Sequence, residues 1–333
     1  MRRLATAAWA GAWGMMAMSC LPGSLSTGSL SSLDGNTLAN LASFGGELAA
    51  KSRECDRLST FDVPLAEETA VGGAVAVTWV SKGGGLMLKG PRDQMTLYVD
   101  RVGRNLAMQS ARPLLEWTFG VLESEDFNAV SAPGGYVLVT RGLLRQVENE
   151  AQLAGVLGHE IAHVTEKHAV LTYREVKKTS CRLAFAGMAL GPATEQLRST
   201  FSSVMTSTNG QMVNLDQEGN FDMLFAFTNG LIKVLTENGF ESQQELDADR
   251  IGLGLVISAG YNPHEYVKFL EKIPQGGNAF PHHPSNADRQ QALAGFIETL
   301  KEQPDFYPDY PFQTAPVVPL HGELAAATAP AKP

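Results

Sequence analysis

One pentapeptide constrains this chain more than any other feature. His159-Glu160-Ile161-Ala162-His163 places two histidines four residues apart with a glutamate beside the first. On a helix, residues four apart lie on one face, so both imidazoles can reach a single ion. Glu160 leans toward the same side and can take a proton from water that the ion activates. This is the HExxH pattern of zinc hydrolases. Chance produces it in on the order of one chain in a hundred of this length. Val156, Leu157, Ile161, Ala162 and Val164 surround it with apolar side chains, so the helix is expected to be buried. Two histidines and a glutamate are costly to bury without a purpose.

Two histidines leave zinc short of a ligand. His168 is nearest, but nine residues beyond His159 on a continuous helix it points to the opposite side, which makes it a surface residue. Its spacing also misses HExxHxxGxxH, because Glu166 stands at the glycine position. Glu245 is the better third ligand. It lies in the acidic run Glu241 to Arg250 that opens an amphipathic helix. Glu245 and Asp249 share a face, so one can bind the metal while the other orients a ligating histidine.

The rest of the chain frames this site. Its 333 residues suffice for a large core. A net charge of -9 argues against a nucleic-acid partner. Arg2 and Arg3, the apolar run Leu4 to Met18 and the following small residues read as a signal peptide over 1–19. Ala17-Met18-Ser19-Cys20 is similar to a lipobox, with Cys20 as the lipidated residue and a Ser/Gly-rich tether after it. The residue after Cys20 is Leu21, so the expected location is the outer membrane facing the periplasm, with a soluble periplasmic protein as the alternative. Lipid is then the sole membrane anchor, since no later segment is long enough to span a bilayer. Cys55 and Cys181 are candidates for a disulfide in that oxidising compartment.

The expected division is 20–55 as tether and N-terminal segment, 56–302 as protease domain and 303–333 as a disordered Pro/Ala-rich tail. Within the domain, Pro91 to Ala111 reads as a helix, with Leu97, Val99, Val102, Leu106 and Met108 as its apolar side. Trp117 to Glu123, Phe127 to Ser131 and Tyr136 to Thr140 read as strands. Leu143 to about Val170 reads as one long helix and Glu241 to Ala259 as another. Ser285 reads as the cap of a helix running to Lys301. The class is α+β, mostly helical, with a small sheet beside the HExxH helix.

Four segments together carry a family likeness: Leu97 to Gly103, Asn128 to Tyr136, Glu150 to His168, and Glu245 to Asp249 with Ala259 to Pro263. On these the chain resembles the HtpX-like and CAAX-prenyl-protease-like zinc metallopeptidases, the forty-eighth metallopeptidase family. It looks nearest to their periplasmic lipoprotein and outer-membrane-assembly members. The resemblance implies a gluzincin fold holding one zinc through His159, His163 and Glu245. It implies Glu160 as general base and Asp249 behind a ligand. It gives roles in the cleft to His283 of the His283-Pro284 pair, with His282 as rival, and to Arg289. An extended or unfolded polypeptide would add to the strand Asn128, Ala129, Val130 and Ser131. The expected function is hydrolysis of misfolded or misassembled envelope proteins. The alternative is an assembly factor or chaperone for outer-membrane proteins, with a zinc site that His283 closes. Membrane-bound members carry hydrophobic spans around the catalytic helices. Residues 185 to 240 here are amphipathic, which favours soluble or envelope substrates.

Overall fold

The computed structural model describes residues 52–58, 60–88, 91–189, 221–237, 239–273 and 286–302, with Gly46 and Ala50. The signal segment, Cys20, the stretch 281–285 with His282 and His283, and the tail from 303 lie outside the described residues. The chain divides into two compact units, Met1–Glu54 and Cys55–Pro333. Every element below belongs to the second.

Helix α1 (Leu65–Lys82) carries Glu67 and Glu68 in its first turn and Lys82 in its last, each at the end the helix dipole favours. Its sequence sets four alanines against four valines, two threonines and the Gly72-Gly73 pair, so propensity is divided and tertiary packing decides for helix. A Cβ on Gly72 would stand 1.7 Å from the Pro133 carbonyl oxygen, so only glycine lets α1 lie against that turn.

Helix α2 (Pro91–Ala107) starts at the expected proline but stops short of Ala111. The Ser110 hydroxyl donates to the Ala107 carbonyl (2.7 Å) and accepts from the Arg112 N–H (3.2 Å), which turns the chain out of the helix. Its buried stripe is Met95, Val99, Val102 and Leu106, whereas Leu97 and Met108 are exposed. The spacing of four, three and four explains why those two fall off the stripe.

Strands β1 (Thr118–Leu122), β2 (Ala129–Ala132) and β3 (Tyr136–Thr140) form a sheet of order β1-β3-β2. β1 runs parallel to β3, and β2 antiparallel to it with Val130 opposite Leu138. Gly134 (φ 80°) and Gly135 (φ 102°) make the β2–β3 turn in a conformation that favours glycine.

The single helix expected over 143–170 is three. α3 (Arg141–Leu144) is capped by the Thr140 hydroxyl, which accepts from Leu143 N–H. α4 (Glu150–Thr165) starts anew at Asn149, whose side chain accepts from Gln152 N–H at 2.9 Å. α5 (His168–Ala189) follows a break at Lys167, a non-glycine residue with φ 57°.

α6 (Phe221–Glu237) precedes α7 (Ser242–Ser258), which opens on a capping box of Glu241 and Gln244. α8 (Pro263–Phe269) begins where the Asn262 side chain accepts from His264 N–H. α9 (Asn286–Lys301) closes the domain.

Residues 151–164 of α4 are buried without interruption. Its backbone meets that of α7 where a Cβ on Gly252 would lie 2.7 Å from His159 N. This close approach sets the acidic end of α7 against the HExxH pair. Cys55 and Cys181 stand at disulfide-bonding distance, with Cα atoms 5.5 Å apart. No helix among the described residues is long and apolar enough to cross a membrane.

Candidate metal centre

His159, His163 and Glu245 converge, with their ligand atoms within 4.8 Å of one another and all three residues buried. His159 Nε2 and His163 Nε2 are 3.0 Å apart. Glu245 Oε2 is 3.4 Å from His159 Nε2, and its Oε1 is 3.5 Å from His163 Nε2. Tetrahedral bonds of about 2.0–2.1 Å separate neighbouring ligand atoms by about 3.3 Å, so this donor set fits a zinc-sized ion. The electrostatics agree. Burial alone would depress the His159 imidazole, yet the Asp249 and Glu245 carboxylates outweigh it and raise its pKa to about 10. A field that holds a proton on a buried imidazole also favours a cation there.

Behind His159 lies a buried charged cluster. His159 Nδ1 is 2.8 Å from Asp249 Oδ1. Arg289 donates to both Asp249 oxygens, at 2.7 and 2.6 Å, and the Tyr266 hydroxyl donates to Oδ1 at 2.7 Å. Burial would raise the Asp249 carboxyl, but Arg289 and His159 hold it well below the ordinary carboxylate range. Arg289, expected either to hold the site or to bind a substrate carbonyl, packs against Asp249 on the far side of His159.

Behind His163 the structure corrects the sequence reading. His168 is buried at 6% exposure, and its Nδ1 is 2.8 Å from His163 Nδ1. The break at Lys167 removes the continuous helix on which it was placed at the surface. Phe240 stacks on His163 with ring centroids 4.2 Å apart. His283 lies outside the described residues.

The site opens into a cleft of about 310 Å³ where His159, Glu160 and His163 meet Asn128, Ala129, Val130 and Ser131. Thr140 N–H donates to the Asn128 carbonyl at 3.0 Å. In an antiparallel pair this alternates, so Val130 and Ala132 turn their backbone groups to β3 while Ala129 and Ser131 turn theirs away from it. Among the described residues β2 is an edge of the sheet.

The opposite wall was not foreseen. Trp79 of α1, Leu235 and Thr236 of α6, and Phe240 also line the cleft. Glu68 and Arg112 were missed as well. Arg112 donates to both Glu68 oxygens (2.7 and 3.0 Å) and to the Val164 carbonyl (3.2 Å), and Gly134 N–H donates to Glu68 (3.1 Å). This network ties the β2–β3 turn to the end of α4. Only His168, in the motif helix pattern, carried a sequence signal; the others are joined through long separations.

Residues 93–297 match Peptidase family M48. The chain belongs to that family. Among curated relatives, it is 28% identical over 179 residues to the beta-barrel assembly-enhancing protease of Escherichia coli, covering 54% of this chain and 32% of that protein. It is 27% identical over 222 residues to the mitochondrial metalloendopeptidase OMA1 of Schizosaccharomyces pombe, covering 64% of this chain and 57% of that one. The metalloendopeptidase OMA1 of Bos taurus is 27% identical over 192 residues, 55% of this chain and 33% of its own length. The chain thus spans about a third to somewhat over half of these relatives. Family and relatives make the shared domain that of a metalloendopeptidase.

Proposed function

We propose that this protein is a zinc endopeptidase of the bacterial cell envelope that hydrolyses extended segments of misfolded or misassembled envelope proteins. The observation that carries the reading is the convergence of His159, His163 and Glu245 beside Glu160, in the same cleft as the β2 edge. Zinc, when bound, supplies a Lewis acid that polarises the scissile carbonyl and acidifies water. The two imidazoles and the Glu245 carboxylate hold it, and the Asp249–Arg289 pair fixes the His159 ring.

Ala129 and Ser131 hold the substrate backbone as an added strand. Glu160 takes a proton from the attacking water through its carboxylate and passes it to the leaving amine. The water oxygen bonds to the carbonyl carbon as the C–N bond breaks. To His283 we assign, from the family resemblance of the His283-Pro284 pair alone, either donation to the developing oxyanion or closure of the metal.

The envelope setting rests on the signal-like N-terminus and on relatives named beta-barrel assembly-enhancing proteases. Outer-membrane assembly machinery is the proposed partner, and a lipid on Cys20 the anchor. Cys20→Ala should move the protein from the membrane fraction to the soluble one. An unaltered distribution removes the lipid anchor.

The central test measures zinc content and casein cleavage side by side. The protein should hold about one zinc per chain. Glu160→Gln keeps the shape but cannot accept the proton, so it should keep the zinc and lose about 10²–10⁴-fold in rate. Undiminished cleavage by that variant takes Glu160 out of the mechanism. Full zinc with no cleavage by the unaltered protein would favour an assembly factor.

A further inference from the structure

We infer that His168 is a positioning residue for the metal site, fixing the tautomer and orientation of His163 through an imidazole–imidazole hydrogen bond. The inference rests on the reading of His159, His163 and Glu245 as metal ligands.

Nε2 of His163 faces Glu245 at 3.5 Å, and Nδ1 faces His168 Nδ1 at 2.8 Å. An ion on Nε2 takes the lone pair there, so the ring proton must sit on Nδ1. That N–H then donates to His168 Nδ1, which accepts only if His168 keeps its own proton on Nε2. One contact therefore sets both tautomers. It gives His163 the outward hydrogen bond that ligating histidines require, and that Asp249 gives His159 at 2.8 Å. Here the acceptor is another imidazole, which orients the ligand without adding a formal negative charge.

Three features show a built contact. His163 and His168 are both buried, at 3% and 6% exposure. Phe240 stacks on His163 and lies tilted against His168, with centroids 4.2 and 5.8 Å away, so one aromatic ring packs against both imidazoles. The left-handed backbone of Lys167 (φ 57°) ends α4 and starts α5 at His168 itself. On a continuous helix a residue five positions on lies about 140° around the axis. The break at Lys167 brings the two rings together instead.

The experiment measures zinc affinity by chelator competition in three proteins: unaltered, His168→Leu and His168→Asn. Leucine fills the space without an acceptor, whereas the asparagine amide oxygen can accept close to where Nδ1 stands. His168→Leu should weaken zinc binding by about 10–100-fold. His168→Asn should recover most of that loss, which a purely space-filling role would not allow. The cobalt-substituted spectrum should shift in the leucine variant and return in the asparagine one.

The unaltered zinc-loaded protein supplies a check independent of variant folding. A ¹⁵N–¹⁵N coupling between the Nδ1 atoms of His163 and His168 should be detected through the hydrogen bond. Its absence with both resonances assigned overturns the inference, as does unaltered zinc affinity in a folded His168→Leu protein. If the unaltered protein binds no zinc, the reading of the site fails first.

Discussion

The two imidazoles of the metal centre are held by different means. His159 is backed by Asp249 of α7, which is held by Arg289 of α9 and Tyr266 of α8. His163 is backed by His168, five residues on, and by the face of Phe240. The first support is ionic and assembled from the three helices α7, α8 and α9, which begin more than 80 residues beyond His159. The second is local and aromatic, and burial pushes the His168 pKa down, toward the neutral ring. A buried ion pair is costly to desolvate and is stable only with all its partners present, so it should fail as a unit. The local contact asks for one ring and one turn of backbone, so its loss should be felt at the metal more than in the fold.

The largest effect should therefore come from the ionic side. Asp249→Ala leaves Arg289, 2% exposed, without its carboxylate. Removing one partner of such a pair costs about 3–5 kcal/mol. Urea unfolding of the metal-free protein should show that loss, and chelator competition a zinc affinity about 10–100-fold weaker. Asp249→Leu combined with Arg289→Met should regain much of the stability and none of the zinc affinity. If Asp249→Ala costs the metal-free fold no more than His168→Leu does, the contrast between the two supports is wrong.

The same contrast explains what the sequence disclosed. His159, Glu160 and His163 of the motif helix, and Glu245 and Asp249 of the acidic helix, were legible because helical spacing fixes their faces, and α7 closely follows its expected span. The strand Tyr136–Thr140 was legible from its apolar run and the glycine turn before it. Arg289 was named, but its partner was not, because 40 residues separate it from Asp249. α1 was not legible, since its four alanines are offset by four valines and the Gly72-Gly73 pair, and the packing of Gly72 under Pro133 joins residues 61 apart. His168 was misplaced for a subtler reason. Nothing in Glu166-Lys167 marks a break, because the left-handed position is held by lysine rather than glycine.

That lysine carries the smallest prediction. A left-handed residue with a Cβ costs about 1–2 kcal/mol, which Lys167→Gly would relieve. Glycine also loosens the unfolded chain, which offsets about 0.5–1 kcal/mol of the gain. Thermal unfolding should thus find the variant slightly more stable, by about 0–1.5 kcal/mol. The Leu171 N–H donates to the Lys167 carbonyl at 2.9 Å and the Lys167 N–H to Val164 at 3.2 Å, and glycine keeps both bonds. Zinc affinity is the sharper measure. If packing against Phe240 and His163 holds the His168 ring, a more pliant turn should leave zinc binding unchanged. If Lys167→Gly weakens zinc as much as His168→Leu does, the stiffness of the turn sets the ring, and the support of His163 is backbone strain rather than aromatic packing.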